Sequence, residues 1–131
     1  MNNLQPWTSL LGRIFLSAIF INSAIGKISG GAATQQYMES SGVPGWLLIP
    51  TILVLLVGGL SVLVGYKARY GALALIGFLI PATLIFHNDF TDSDQKIAFM
   101  KNLGLIGGLL MITSFGPGRI SVDEKSIFNN E

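Results

Sequence analysis

The chain has 131 residues, of which 50% are hydrophobic and only 11% are charged, whereas a soluble domain carries about a quarter charged residues. Eight cations against seven acids leave a formal net charge of +1 with no basic cluster, which sets nucleic-acid binding aside. The absence of cysteine excludes disulfides, thiolate metal sites and iron–sulfur ligation by this chain.

The hydropathy pattern points to a membrane. Mean hydropathy is +0.60, and no charged residue occurs from Ser40 to Tyr66 or from Tyr70 to Asn88. A helix rises about 1.5 Å per residue, so about 20 apolar residues cross the roughly 30 Å of hydrocarbon. Four such spans fill the chain and leave no room for a soluble catalytic module. The expected fold is therefore all-α: a transmembrane four-helix bundle forming one membrane domain over residues 1–131.

The first predicted span covers residues 7–28. Arg13 lies inside its apolar stretch rather than before it, which argues against a cleavable signal. At helical spacing Arg13, Ser17, Phe20, Ala24 and Lys27 form one stripe, expected to face protein. Ala33 to Ser40 then reads as a polar, interfacial turn of helix. The second span, 46–65, follows the turn-forming Gly42-Val43-Pro44-Gly45. The third, 70–86, contains Pro81, which predicts a kink on the bundle side, where a neighbour can satisfy the freed carbonyl. The acidic loop 88–96 carries Asp89, Asp92 and Asp94 but lacks the glycine and distal glutamate of a calcium loop, so no metal site is expected and its charges read as solvated. The fourth span, 97–115, stops at Gly116-Pro117-Gly118. Close helix contacts are expected at the small-residue pairs Gly104/Gly108, Ser61/Gly65 and Asn22/Gly26. Trp7, Trp46, Tyr66 and Tyr70 fall at span ends, where amphipathic rings favour the headgroup region.

An even number of spans puts both termini on one side. That side holds Arg13, Lys67, Arg69, Arg119 and Lys125, and the other holds Lys27, Lys96 and Lys101. Five cations against three predict cytoplasmic termini. Ionic groups are costly in hydrocarbon, so the few intramembrane polar residues are the candidates for function. Lys27, His87, Lys101 and Asn102 are placed to converge at the outer mouth, where they can hold an anion or the polar head of a lipid-soluble molecule such as a quinone. The competing reading has both lysines and Arg13 snorkelling to phosphates, with Asn102 bonding a neighbouring helix. His87 is the one candidate catalytic group near neutral pH; an interfacial hydrogen-bonding role is its simpler explanation. No tightly bound cofactor is expected, since a single histidine cannot ligate a haem from both sides.

Several motifs resemble the DoxX family in order and spacing. They are Leu11-Gly12-Arg13-Ile14-Phe15 with Gly26-Lys27-Ile28, Gly42-Val43-Pro44, and Gly58-Gly59-Leu60 with Gly65. Ala82-Thr83-Leu84 with His87, Phe99-Met100-Lys101-Asn102-Leu103 with Gly107-Gly108, and the closing Gly118-Arg119-Ile120-Ser121-Val122-Asp123 complete the set. The resemblance covers nearly the whole chain. It implies a small multi-pass protein of the bacterial inner membrane, a thylakoid membrane being the alternative, and a shared pocket of Arg13, Lys27, Lys101 and Asn102. It also implies a subunit or accessory of a quinone- or sulfur-linked redox system, non-autonomous as an enzyme, with a membrane redox protein as partner. Many members carry a glutamate before the paired glycines of the second helix. Here Leu55 stands in its place, which weakens an inherited enzymatic role. The alternative is a non-catalytic scaffold, or a carrier of a small hydrophobic molecule, in contact with lipid and able to pair as a homo-oligomer.

Overall fold

A computed structural model describes residues 4–123. Four long helices are apolar enough to cross a membrane, and a short fifth lies between the first two spans. In chain order they are α1 (Gln5–Ser29), α2 (Gly31–Ser40), α3 (Leu48–Val64) led in by a 3-10 turn at Gly45–Leu47, α4 (Ala68–Phe86) and α5 (Ser93–Phe115). No strand occurs among the described residues. Phe15, Ile49, Leu84 and Phe115 are among many large apolar side chains left exposed along the spans, the face that lipid covers.

Neighbouring spans pack in the order α1, α3, α4, α5. Their common core is built from Phe20 and Ala24 of α1, Leu55 and Val62 of α3, Leu75 and Leu79 of α4, and Leu109 of α5. Backbones approach where side chains are smallest. A Cβ on Gly58 would lie 2.8 Å from Leu75 Cγ, and one on Gly59 2.9 Å from Ile21 Cγ1, so these glycines set the α3–α4 and α1–α3 spacings. Gly71 of α4 likewise faces Ser61 of α3. Two of the expected small-residue pairs play no such part: Gly104 and Gly26 have nothing within 4 Å of a built Cβ, and Asn22 is exposed. Gly108 does make contact, with Leu16 of α1 packing over it. Apart from this contact α1 and α5 pack less closely than the other spans, which leaves room between them toward the α2 end of the bundle.

Local chemistry explains the element ends. α5 begins at Ser93, earlier than hydropathy suggests, because the Asp92 carboxylate accepts from Asp94 N at 3.0 Å and caps it. Asp89 is also a structural group rather than merely solvated charge: it accepts from Thr91 N at 3.1 Å and Thr91 Oγ1 at 2.5 Å. These bonds hold its carboxyl below the usual carboxylate range. α4 continues as one helix through Pro81.

Candidate functional site

Arg13 belongs to the terminal end of the bundle, not to a pocket with Lys27, Lys101 and Asn102. Fourteen residues of helix, about 21 Å, separate it from Lys27. Nor does it snorkel, being only 2% exposed. Its Nη1 donates to the carbonyls of Val62 at 3.2 Å and Leu63 at 3.1 Å, and its Nη2 donates to the carbonyl of Ile120. The last turn of a helix leaves carbonyls without backbone donors, and a cation there also suits the negative end of the helix dipole. Gly65, at φ +75°, ends α3 in the left-handed region, and a Cβ there would meet Arg13 Nη1 at 2.7 Å. The closing segment completes the clasp. Asp123 accepts from Lys67 N at 2.7 Å and Ala68 N at 3.1 Å, capping α4, while its own N–H donates to Gly65 O at 2.9 Å. Nothing in the apolar pattern marked Asp123 as a helix cap; the signal was its acid after a glycine-rich stop. Lys125, counted above for orientation, lies outside the described residues.

At the opposite end Lys27, His87, Lys101 and Asn102 line one cleft of about 800 Å³. α3 and α4 form its back, α1 and α5 its sides, and α2 lies across its mouth. α2 is held there by Met38, which is buried, and by Tyr37, whose ring stacks on Phe86 with centroids 5.2 Å apart. Gln35 Nε2 also donates to Gly45 O at 3.3 Å. The mouth is polar: Ser23, Thr34 and Thr51 join the four candidate residues. Deeper in, Phe20, Leu55, Ala74, Gly77, Leu79 and Leu105 make the wall apolar. From His87 back to Ala74 the cleft follows α4 for about 20 Å. Small side chains on α4 create this space, and a Cβ at Gly77 meets nothing within 4 Å. Pro81 lines the same cleft, so the carbonyl of Gly77, which proline leaves without its helical donor, lies on the cleft wall.

Each polar group has its own state. Lys27 Nζ donates to Ser23 Oγ at 3.0 Å, one turn farther from the membrane surface, so this lysine reaches back into the bundle rather than out to phosphate. Asn102 Nδ2 donates to Thr83 Oγ1 at 3.0 Å in a buried bond between α5 and α4. His87 ends α4, its N–H donating to Thr83 O at 3.0 Å, and its Nδ1 is buried without a partner. Burial, and then the charge of Lys101, push the imidazole below its ordinary value, so it is neutral at pH 7. The cleft can therefore offer two ammonium donors and a neutral imidazole to a polar head, and an apolar slot to the body behind it.

Comparison with known proteins accounts for this arrangement of motifs. The DoxX family pattern matches residues 8–88. Inner membrane protein YqjF of Escherichia coli is 42% identical over 123 residues, an alignment covering 94% of this chain and 95% of that protein. The chain belongs to the DoxX family. Inner membrane protein YphA of Escherichia coli is 31% identical, with 92% of this DoxX chain and 91% of YphA aligned. A Surfeit locus protein 4 homolog of Drosophila melanogaster is 33% identical over 94% of this chain but only 42% of its own length. No solved structure matches. With its four apolar spans and these relatives, this DoxX protein is a multi-pass inner-membrane protein.

Proposed function

We propose that this DoxX-family protein holds a small lipid-soluble molecule in the cleft beneath α2 and serves as an accessory of a quinone- or sulfur-linked membrane redox system. One observation carries the binding part. Four polar residues from three stretches of chain meet at the mouth of a slot whose depth is apolar, the profile of a site for an amphiphile. Lys27 and Lys101 orient the head by charge and hydrogen bonding, and Asn102 fixes α5 against α4 so that Lys101 is presented at the rim. His87, neutral and lining the cleft, is the titratable group placed to accept a proton or hydrogen bond from the head. The redox part rests on the family resemblance.

The test is isolation of the protein in mild detergent with identification of co-purifying small molecules, together with quinone-linked electron flow in membranes. The reading expects a lipid-soluble molecule near equimolar amounts that falls at least about tenfold in Lys101→Ala, with electron flow reduced in parallel. A molecule still bound with electron flow untouched would favour the carrier reading. A cleft that never holds a ligand would sink both.

A further inference from the structure

We infer that the molecule held in the cleft is an anionic amphiphile, an acyl-type tail bearing a carboxylate or phosphate head, and that its head sits between Lys27 and Lys101. The inference rests on the reading that the cleft holds a lipid-soluble molecule and goes beyond it by fixing the charge of the head. The decisive feature is an imbalance. The cleft is lined by two lysines and by no aspartate or glutamate, and Leu55, 1% exposed, occupies the part of α3 that faces it.

Ammonium groups in an apolar recess are costly unless a negative charge answers them. A surface lysine escapes that cost by snorkelling into the headgroups. Lys101, exposed at the rim, is free to do so; Lys27 does the opposite. It bonds Ser23 one turn deeper along α1, and among the described residues that hydroxyl is its hydrogen-bond partner. A neutral serine satisfies one donor but supplies no charge. The Asn102 amide donates to Thr83 and is not a competing anion. His87, on the third side of the mouth, is neutral, so it neither cancels the ammonium charges nor adds to the repulsion of a cationic ligand. What the cleft lining lacks is a counter-charge, and an anionic ligand would supply it. The apolar slot running about 20 Å along α4 gives that anion a place for a long tail, which a small inorganic ion would leave empty. A neutral head would use the hydrogen bonds but leave the recessed Lys27 charge unanswered.

The experiment uses the full chain in phosphatidylcholine nanodiscs, which contain no anionic lipid, labelled by a palmitate carrying a photoreactive diazirine in its tail. Expected labelling falls on α1, α4 and α5 where they line the cleft. Palmitate or lysophosphatidate should compete at least about tenfold more strongly than methyl palmitate, which has the same tail without the charge. Whichever of the two anions competes better identifies the head as carboxylate or phosphate. The double variant Lys27→Gln/Lys101→Gln should lose that tenfold preference while remaining folded by circular dichroism and still taking up the ester; the single variant Lys101→Gln should lose part of it. Gly77→Phe, which fills the slot at a position with open space, should abolish labelling by both acid and ester. Equal competition by acid and ester, or a preference that survives in the double variant, would overturn the anionic head. If methyl palmitate or a neutral quinone competes as well as palmitate, the inference falls and the amphiphile reading stands. If no probe labels the cleft of the folded wild-type protein, both fall.

Discussion

Arg13 is one of two cations in the first span, and its surroundings assign it to architecture. Its guanidinium fork reaches carbonyls of α3 and of the closing segment together, a geometry that a single ammonium cannot reproduce. Arg13→Lys should therefore lower thermal stability in detergent nearly as much as Arg13→Met, by about 3 kcal/mol, since hydrogen bonds to a charged group contribute about 1.5–3 kcal/mol each and their loss strands buried carbonyls. Ligand uptake by the folded Arg13→Lys protein should match wild type, because the cleft lies about 21 Å away. A loss of uptake at unchanged stability would return Arg13 to the site. His87 behaves differently, because its imidazole is held below the ordinary value of about 6.5 by burial first and by Lys101 second. The unfolded chain then takes up the proton before the folded one, so stability is full above about pH 6.5 and declines as pH falls through the lowered value. Melting temperatures from pH 8 to pH 5 should fall more steeply for wild type than for His87→Gln, and Lys101→Gln should lie between them. A difference profile that is flat with pH would contradict this account.

Between helices, glycine matters only where another backbone is close. Gly58→Ala drives a Cβ to 2.8 Å from Leu75 Cγ and should destabilise the α3–α4 pair, by about 1–3 kcal/mol for an overpacked contact. Gly104→Ala meets nothing and should be neutral or stabilising by up to about 1 kcal/mol through helix propensity. Denaturation of the two variants in the same detergent distinguishes them, and equal effects would mean that α3 and α4 are not spaced by Gly58. This contrast also explains what the sequence could not supply. The number and approximate limits of the spans are written in hydropathy, because bilayer thickness fixes the length of an apolar run. The stripe Arg13, Ser17, Phe20, Ala24 and Lys27 was readable as facing protein because helical period is fixed; the first four are buried and Lys27 is half-buried. Which glycines form seams was not readable, since Gly-x3-Gly spacing specifies a smooth face but not what covers it. The same holds for Asp92 and Asp123, whose capping roles depend on where a neighbouring backbone ends.

At the scale of the whole molecule, the bundle separates two kinds of polar chemistry by its own length. The terminal end consumes its buried arginine and its aspartate in ties among α1, α3, α4 and residues 118–123. The α2 end leaves two lysines and a histidine facing open space. Sequence placed Lys27, His87, Lys101 and Asn102 at one end because alternating helix directions require it, but α2 as a cover and the depth of the slot arise from packing. The function of the cleft depends on which side of the membrane its mouth faces. Charge bias predicts the terminal end in the cytoplasm and the mouth outside, since Arg13, Lys67, Arg69, Arg119 and Lys125 fall on the terminal side against Lys27, Lys96 and Lys101 on the other. The chain contains no cysteine, so a single introduced thiol reports its side without background. Ser40→Cys, exposed at the end of α2, should react with a membrane-impermeant maleimide on intact Escherichia coli cells expressing the protein; Gln5→Cys, exposed at the start of α1, should react only after permeabilisation. The opposite pattern would turn the mouth toward the cytoplasm, so that an amphiphile entering from the aqueous side would come from within the cell. Labelling of both sites in intact cells would contradict a single orientation, and with it the assignment of cations to sides on which this prediction rests.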